Sequence, residues 1–322
     1  MTKNIGVGLW GVGAHARRTV LPALDRTPGI DLVGLTSRNA ETAAGQARQW
    51  NCRHWISPDD MLADDGVQAV FVATPTGLHF EHGLRVIEAG RHLWSEKALT
   101  VTLGETEKLA AAAKQRCVGL CTVCGPLYHS QFQALLDLIS SGKIGALKHI
   151  SAEFGFPHLE PENIRYRDDL GGGALLDVGT YLLALAARLA GETPSDIRCR
   201  IETEAGYEVD TSGSASLSFA NGIEANLDWG YGRPYRNALT LSGELASAHV
   251  SPAFSKPEGR SLDIVVRNAD REQTIGVADC DQFVEMLTVF ADSLGDVALM
   301  DRLRNDSLAQ QALIDKTRLS AA

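Results

Sequence analysis

The sequence predicts an α/β protein of two domains: a doubly wound parallel sheet first, then an α+β domain built on an antiparallel sheet. Three observations carry this. A length of 322 residues with 44% hydrophobic and 22% charged residues is ordinary globular composition at two-domain size. Through residue 123, short apolar runs alternate with amphipathic helical patterns, the signature of parallel strands joined by crossover helices. After Gly125 the pattern changes to successive strands.

The elements follow in order. Ile5 to Trp10 reads as a strand, Arg17 to Asp25 as a helix, Ile30 to Thr36 as a strand and Ala40 to Trp50 as a helix. Val67 to Ala73 is a run of VQAVFVA bounded by Asp-Gly and Thr-Pro, apolar throughout as a strand covered on both faces must be. A helix from His79 to Ala89, a strand at His92 to Ser95, a helix at Leu103 to Gln115 and a strand at Val118 to Val123 complete five parallel strands. A helix (Ser130 to Ser141), a strand (Leu147 to Phe156) and a helix after Gly173 come next. Strands follow at Ser214 to Phe219, Gly222 to Gly230, Ala238 to Ser242 and Leu262 to Arg267, with Asn221-Gly222 as a hairpin turn signal. Helices from Asp281 onward close the chain, and the division falls at 1–123 and 124–322.

A net charge of −10 disfavours nucleic acid or an anionic membrane as partner, so any bound phosphate needs a local site. The start, MTKNIGVGLWGVG, lacks the basic region and unbroken apolar core of a signal peptide. The most apolar later stretch, Ala174 to Ala190, carries Asp177 and Arg188 and is shorter than a bilayer span; a cytoplasmic protein is expected. Six cysteines in a chain this long suggest no disulfide framework. Cys117, Cys121 and Cys124, with His129 as the nearest fourth ligand, admit a zinc site, but no second CxxC or paired His completes one; buried thiols acting as small hydrophobes are the other reading, and no metal is expected.

The segment GLWGVGAHA places Gly11, Val12, Gly13, Ala14 and Ala16 in a GxGxxA pattern between the first strand and the first helix. There a tight turn, close backbone approach and a helix N-terminus cradle a pyrophosphate, the arrangement of a Rossmann dinucleotide site. At the end of the second strand an acid would hold the 2′-hydroxyl of NAD, but the chain reads Thr36-Ser37-Arg38-Asn39. A hydroxyl beside a guanidinium suits a 2′-phosphate, so NADP(H) is expected over NAD(H).

Three further segments, Ala73-Thr74-Pro75-Thr76-Gly77-Leu78-His79, Ser95-Glu96-Lys97-Ala98-Leu99 and the run GGGALLDVGTY from Gly171 to Tyr181, resemble in order and spacing the glucose-fructose oxidoreductase and inositol dehydrogenase family, Gfo/Idh/MocA. The resemblance covers nearly the whole chain. It implies a Rossmann domain and a second α/β domain with a large, mostly antiparallel open sheet often used for oligomerisation, hence a homodimer or homotetramer. Residue by residue, it puts Thr74, Pro75 and His79 beside the cofactor, Glu96 and Lys97 in a Glu-Lys-Pro motif at the nicotinamide ribose and substrate, and Asp177 and Tyr181 in an Asp-x-x-x-His motif. Two departures stand out. Ala98 replaces the usual Pro, so a cis peptide after Lys97 is not expected. Tyr181 replaces the commoner His, as in the branch containing glucose-fructose oxidoreductase, dimeric dihydrodiol dehydrogenase and nucleotide-sugar 3-ketoreductases.

Hydride transfer to a carbonyl leaves an alkoxide, so the site must supply a proton and positive charge near that oxygen. Tyr181 suits the general acid, Lys97 the electrostatic stabiliser and Asp177 a carboxylate orienting a substrate hydroxyl; the spacing of four puts Asp177 and Tyr181 on one helix face, and the glycines before them leave room for substrate. The substrate wall is assigned to Tyr128 and to Arg165, Arg167, Arg233 and Arg236, which interleave with aromatics as diphosphate and base recognition requires; ion pairing of these arginines with nearby acids, or an oligomer interface, is the other reading. The expected function is an NADP(H)-dependent oxidoreductase on a sugar carbonyl or hydroxyl, foremost reduction of a nucleoside-diphosphate 3-keto-hexose. The alternatives are an aldose 1-dehydrogenase, a dihydrodiol dehydrogenase, or an NADP-binding regulator without turnover.

Overall fold

In the computed structural model, residues 4–256 and 262–321 are described. The first three residues of the start read above, and the end of the 124–322 segment, lie outside them. The chain forms two compact units, 1–123 with 283–311 and 124–282 with 312–322. The contiguous division is thus interrupted: the chain returns to the first unit, where Phe290 packs on Trp94 at 5.9 Å and the Ser307 hydroxyl accepts from the Thr122 amide at 3.1 Å.

The first unit is a parallel sheet of β1 (Ile5–Trp10), β2 (Ile30–Thr36), β3 (Arg53–His54), β4 (Ala69–Val72), β5 (His92–Ser95) and β6 (Leu120–Thr122) in the order β3-β2-β1-β4-β5-β6. The order reverses between β1 and β4, and ligands bind doubly wound sheets at the carboxyl ends of strands there. All four residues of β4 are fully buried, as the unbroken apolar run requires. The strand the sequence did not reveal, β3, is two residues long and sits at the edge, too short to show a period. Local chemistry sets the helix starts: Asn39 accepts from Thr42 N at 2.9 Å to cap Ala40–Gln49, and Thr102 with Glu105 forms a capping box before Leu103–Gln115. The first expected helix is a π-helical turn, Ala16–Val20, continuing into Leu21–Arg26.

The second unit is an eight-stranded sheet of β7 (Leu147–Phe156), β8 (Asp196–Glu202), β9 (Ser212–Ser218), β10 (Glu224–Tyr231), β11 (Arg236–Gly243), β12 (Ser247–Val250), β13 (Leu262–Arg267) and β14 (Glu272–Val277). All pairs are antiparallel except β7 with β10. Three strands, β8, β12 and β14, were not read from the sequence; they carry charges or small polar residues, and pairing rather than propensity makes them strands. The helix Thr180–Ala190 packs on β7 and β10, burying Leu182, Leu183 and Leu185 to 2% exposure or less. Each such side chain contributes about 1.5–3 kcal/mol through burial. The stretch Asp168–Ala190 is long and apolar enough to cross a membrane, but two thirds of its most apolar window is buried, as in a core helix.

Strand alternation sorts the second sheet into two faces. Phe154, Leu227, Trp229 and Tyr231 turn inward and are buried. The residues between them, Ser151, Glu153, Asn226 and Asp228, line a depression of about 690 Å³ on the other face, with Arg198, Arg200, Ser214, Ser216 and Arg236.

Candidate active site

In the first unit, β1 ends at the glycine-rich turn. Gly11 has φ 104°, and a Cβ there would stand 2.8 Å from the carbonyl carbon and oxygen of Ala73; only glycine lets β1 and the segment after β4 come this close. Its amide donates to Thr36 O at 2.9 Å, tying the turn to the end of β2. Gly13 is different. A Cβ there would meet nothing within 4 Å, so what the glycine preserves is open space beside Val12, Ala14 and the first helical turn. Ser37 and Arg38 follow β2 immediately before the capped helix, and Arg38 is exposed with no ion pair among the described residues. These features fit a dinucleotide phosphate chain and a 2′-phosphate.

Thr74 begins the segment after β4, and its hydroxyl lies 3.1 Å from His82 Nδ1. His82 stacks on Trp10 at 4.2 Å, and Arg85 covers that ring at 5.0 Å. Burial pushes the His82 imidazole down to about 4, so it is neutral beside Thr74. Pro75 leads into the short turn Thr76–Leu78. His79 departs from its expected role: it is 1% exposed, with Nε2 2.7 Å from Thr74 O and Nδ1 2.9 Å from Ala98 O. It clips the Thr74 and Ala98 segments together from behind and offers no polar atom to a cofactor, because both ring nitrogens face backbone carbonyls. Burial holds it below the ordinary histidine value against the pull of those carbonyls.

Glu96 and half-buried Lys97 follow β5. The peptide Lys97–Ala98 is cis, contrary to expectation; the buried Ala98, its carbonyl held by His79, occupies the place the missing proline left open. The Glu96 carboxylate, 7% exposed, lies 3.0 Å from His15 Nε2 and accepts from the Lys97 amide at 3.3 Å. Burial pushes its pKa up, but His15 and then Lys97 outweigh that and hold it below the usual carboxylate range.

In the second unit, Asp177 lies in a π-helical turn, Leu175–Gly179, that continues into the Thr180–Ala190 helix bearing Tyr181. The glycines expected to leave room for substrate instead admit protein. Gly172 and Gly173 donate to Arg167 O and Arg165 O at 2.9 Å each, and a Cβ on Gly173 would stand 2.2 Å from Asp210 Oδ1. Asp210 caps the turn by accepting from Leu175 N at 2.6 Å; burial pushes its pKa up, opposed by that amide. Arg165 Nε donates to Asp177 Oδ2 at 2.6 Å, and the hydroxyl of buried Tyr231 donates to the same oxygen at 3.3 Å. Tyr181 packs on Phe154 at 6.1 Å. Burial first, and then Asp177, keep Tyr231 well above the ordinary phenol value, so it remains a donor.

Of the other substrate candidates, Arg167, Arg233 and Arg236 are engaged by acids other than Asp177, whereas the turn that carries Tyr128 packs on the Thr180–Ala190 helix. Arg167 is exposed and forks onto Asp169 at 2.8 and 2.6 Å. Arg233 pairs with Asp228, and Arg236 with Glu153 at 3.5 Å. Both acids lie on the sheet face opposite Phe154, Trp229 and Tyr231; register pairs Arg236 with Gly155, so strand alternation places Arg236 on that face, and Arg233, in the turn after β10, reaches it through Asp228. Tyr128 ends the turn Gly125–Tyr128, and the next residue, His129, caps Ser130–Ser140 by accepting from Gln131 N at 2.9 Å. Cys117 lies in a turn at φ 55°, Cys121 is buried in β6, and all six cysteines are free.

Sequence reasoning missed His15, His82 and Tyr231. The first two act through partners distant in sequence, whereas the inward parity of Leu227, Trp229 and Tyr231 in β10 was a legible signal.

The fold and these segments define a dinucleotide-binding oxidoreductase, and the chain belongs to the Gfo/Idh/MocA family: residues 5–123 match its oxidoreductase family, NAD-binding Rossmann fold description, and residues 132–249 match its C-terminal domain. Among its relatives, the dTDP-3,4-didehydro-2,6-dideoxy-alpha-D-glucose 3-reductase of Streptomyces violaceoruber is 31% identical over 99% of this chain and 96% of its own. The enzyme of the same name from Saccharopolyspora spinosa is 33% identical over 90% and 88%. The crystal structure of KijD10, a 3-ketoreductase from Actinomadura kijaniata in complex with NADP and TDP-benzene, superposes with a TM-score of 0.94 at 28% identity, covering 99% of this chain and 98% of its own.

Proposed function

We propose that this protein is an NADP(H)-dependent reductase of a nucleoside-diphosphate 3-keto-sugar. The observation that carries the reading is the near-complete match to 3-ketoreductases, one of them crystallised with NADP and TDP-benzene. Exposed Arg38, in the place of an acid after β2, supports NADP(H) over NAD(H).

The nicotinamide supplies the hydride. Gly11 to Ala14, Ser37, Arg38, Thr74 and Pro75 bind and orient the dinucleotide, Glu96 holds its ribose, and His79 shapes the wall behind. Tyr181 donates the proton to the oxygen that becomes the hydroxyl, Lys97 stabilises the charge growing there, and Asp177 orients the substrate. Tyr128 contributes to the substrate wall. Arg233 and Arg236, on the opposite sheet face, belong to an interface between copies of the chain, which we place as a homodimer or homotetramer in the cytoplasm.

Calorimetric titration of thymidine diphosphate into the NADPH-loaded protein tests the substrate class without an unstable keto-sugar. Micromolar binding is expected; no heat at millimolar ligand would redirect the reading to free sugars or diols.

A further inference from the structure

The second unit holds a partly buried polar cluster that the proposed chemistry uses only in part. Arg165, its side chain 37% exposed, is tied to the protein at its backbone and its Nε. Its amide donates to the Asn163 side chain at 3.1 Å, its carbonyl accepts from Gly173 N at 2.9 Å, and its Nε is spent on Asp177 Oδ2 at 2.6 Å. Tyr231, 1% exposed, closes on the same carboxylate oxygen from β10.

We propose that Arg165 is a positioning residue, which neutralises and orients Asp177 and thereby sets the ionisation of Tyr181, and that it is not a diphosphate ligand. A carboxylate four residues before Tyr181 on a helix would by itself oppose ionisation of the phenol and weaken it as an acid. With the guanidinium bound at 2.6 Å, the largely buried Asp177 is oriented and its field at Tyr181 is offset by a cation. Arg165 is held above its ordinary value by Asp177 first, and the phenols of Tyr231 and Tyr181 lie within its electrostatic reach. Among the groups placed near Tyr181 are Asp177 on its own helical segment, Arg165 from the 163–167 turn within electrostatic reach, and the uncharged ring of Phe154 from β7; Tyr231 from β10 joins through Asp177, and the Gly125–Tyr128 turn packs on the same helix.

This rests on the reading that Tyr181 is the proton donor, but its test does not require turnover. Tyrosinate absorbance near 295 nm is followed against pH in the full-length protein, and the Tyr181 contribution is isolated by subtracting the Y181F trace. R165Q is expected to raise the Tyr181 midpoint by about one pH unit and D177N to lower it by about one. R165K, which keeps the charge, restores most of the parent value. A variant that merely loosened the fold would not produce opposite signs. Thymidine diphosphate affinity should change less than about threefold in R165Q, since a ligating arginine would cost tenfold or more. Midpoints that stay put or move together in R165Q and D177N would overturn the proposal, as would a tenfold loss of thymidine diphosphate affinity in R165Q with the midpoint unchanged. Full turnover in Y181F alongside the opposed shifts would instead remove the donor reading and leave the positioning role standing.

Discussion

Two glycines of one turn do different work, and exchanging each for alanine separates fold from ligand. At Gly11 the backbone sits at φ 104° and the added methyl would lie 2.8 Å from the Ala73 carbonyl. The left-handed conformation alone costs about 1–2 kcal/mol, and relief of the contact brings the total to about 2–4 kcal/mol. That corresponds to a fall of roughly 5–10 °C in the melting temperature. At Gly13 the methyl meets nothing within 4 Å and φ is unexceptional, so Gly13→Ala should leave stability unchanged or raise it by up to about 1 kcal/mol by restricting the unfolded chain. In the proposed cofactor site it should nonetheless raise the Kd for NADPH at least tenfold, about 1.4 kcal/mol, because the methyl would stand where that reading places the pyrophosphate. Thermal unfolding of the apoprotein and quenching of its fluorescence by NADPH read the two effects separately. Parent-like NADPH affinity in Gly13→Ala would refute the argument that this glycine preserves ligand space, and an unchanged melting temperature in Gly11→Ala would refute the steric one.

Arg38→Ala should weaken NADPH binding by about 1.5–3 kcal/mol, the worth of charge-assisted hydrogen bonds, and leave NADH affinity nearly unchanged; an equal loss for both would disprove its role at the 2′-phosphate. Tyr181→Phe should lower turnover strongly with NADPH affinity retained, and equal activity in the two proteins would remove Tyr181 from the mechanism. Stability should fall with acidification in a defined window. His82 and His129 are both pushed down to about 4, chiefly by burial, so the unfolded chain takes up their protons first, and stability present above about pH 6.5 is lost as pH falls toward 4. The effect is about 2–3 kcal/mol for buried His129 and less for half-buried His82. His129→Asn keeps a capping oxygen for Ser130–Ser140 but removes the titration, so urea midpoints between pH 7 and 5 should flatten; an unchanged slope would refute the assignment.

What was legible from the sequence is what short range determines. Apolar runs such as AVFV and the GxGxxA turn specify strands and the dinucleotide loop because propensity and steric permission act over a few residues. The Asp177–Tyr181 spacing and the family segments carried the proposed site in the same way. Tertiary structure alone decided the rest. Ser-rich β9 and charged β8 are strands because partners complete their ladders, and the chain returns through 283–311 to cover the first sheet. His79 faces two carbonyls, one of them nineteen residues away, and the cis Lys97–Ala98 peptide formed without proline. Four arginines were separated by tertiary geometry: Arg165 turned to Asp177 and Arg167 to Asp169, the register of β11 set Arg236 on the opposite sheet face, and Arg233, in the turn after β10, reached Asp228 there. An arginine's charge is written in the sequence. The side of the sheet on which it lies depends on a two-residue period whose phase is set only when strands pair across the turn.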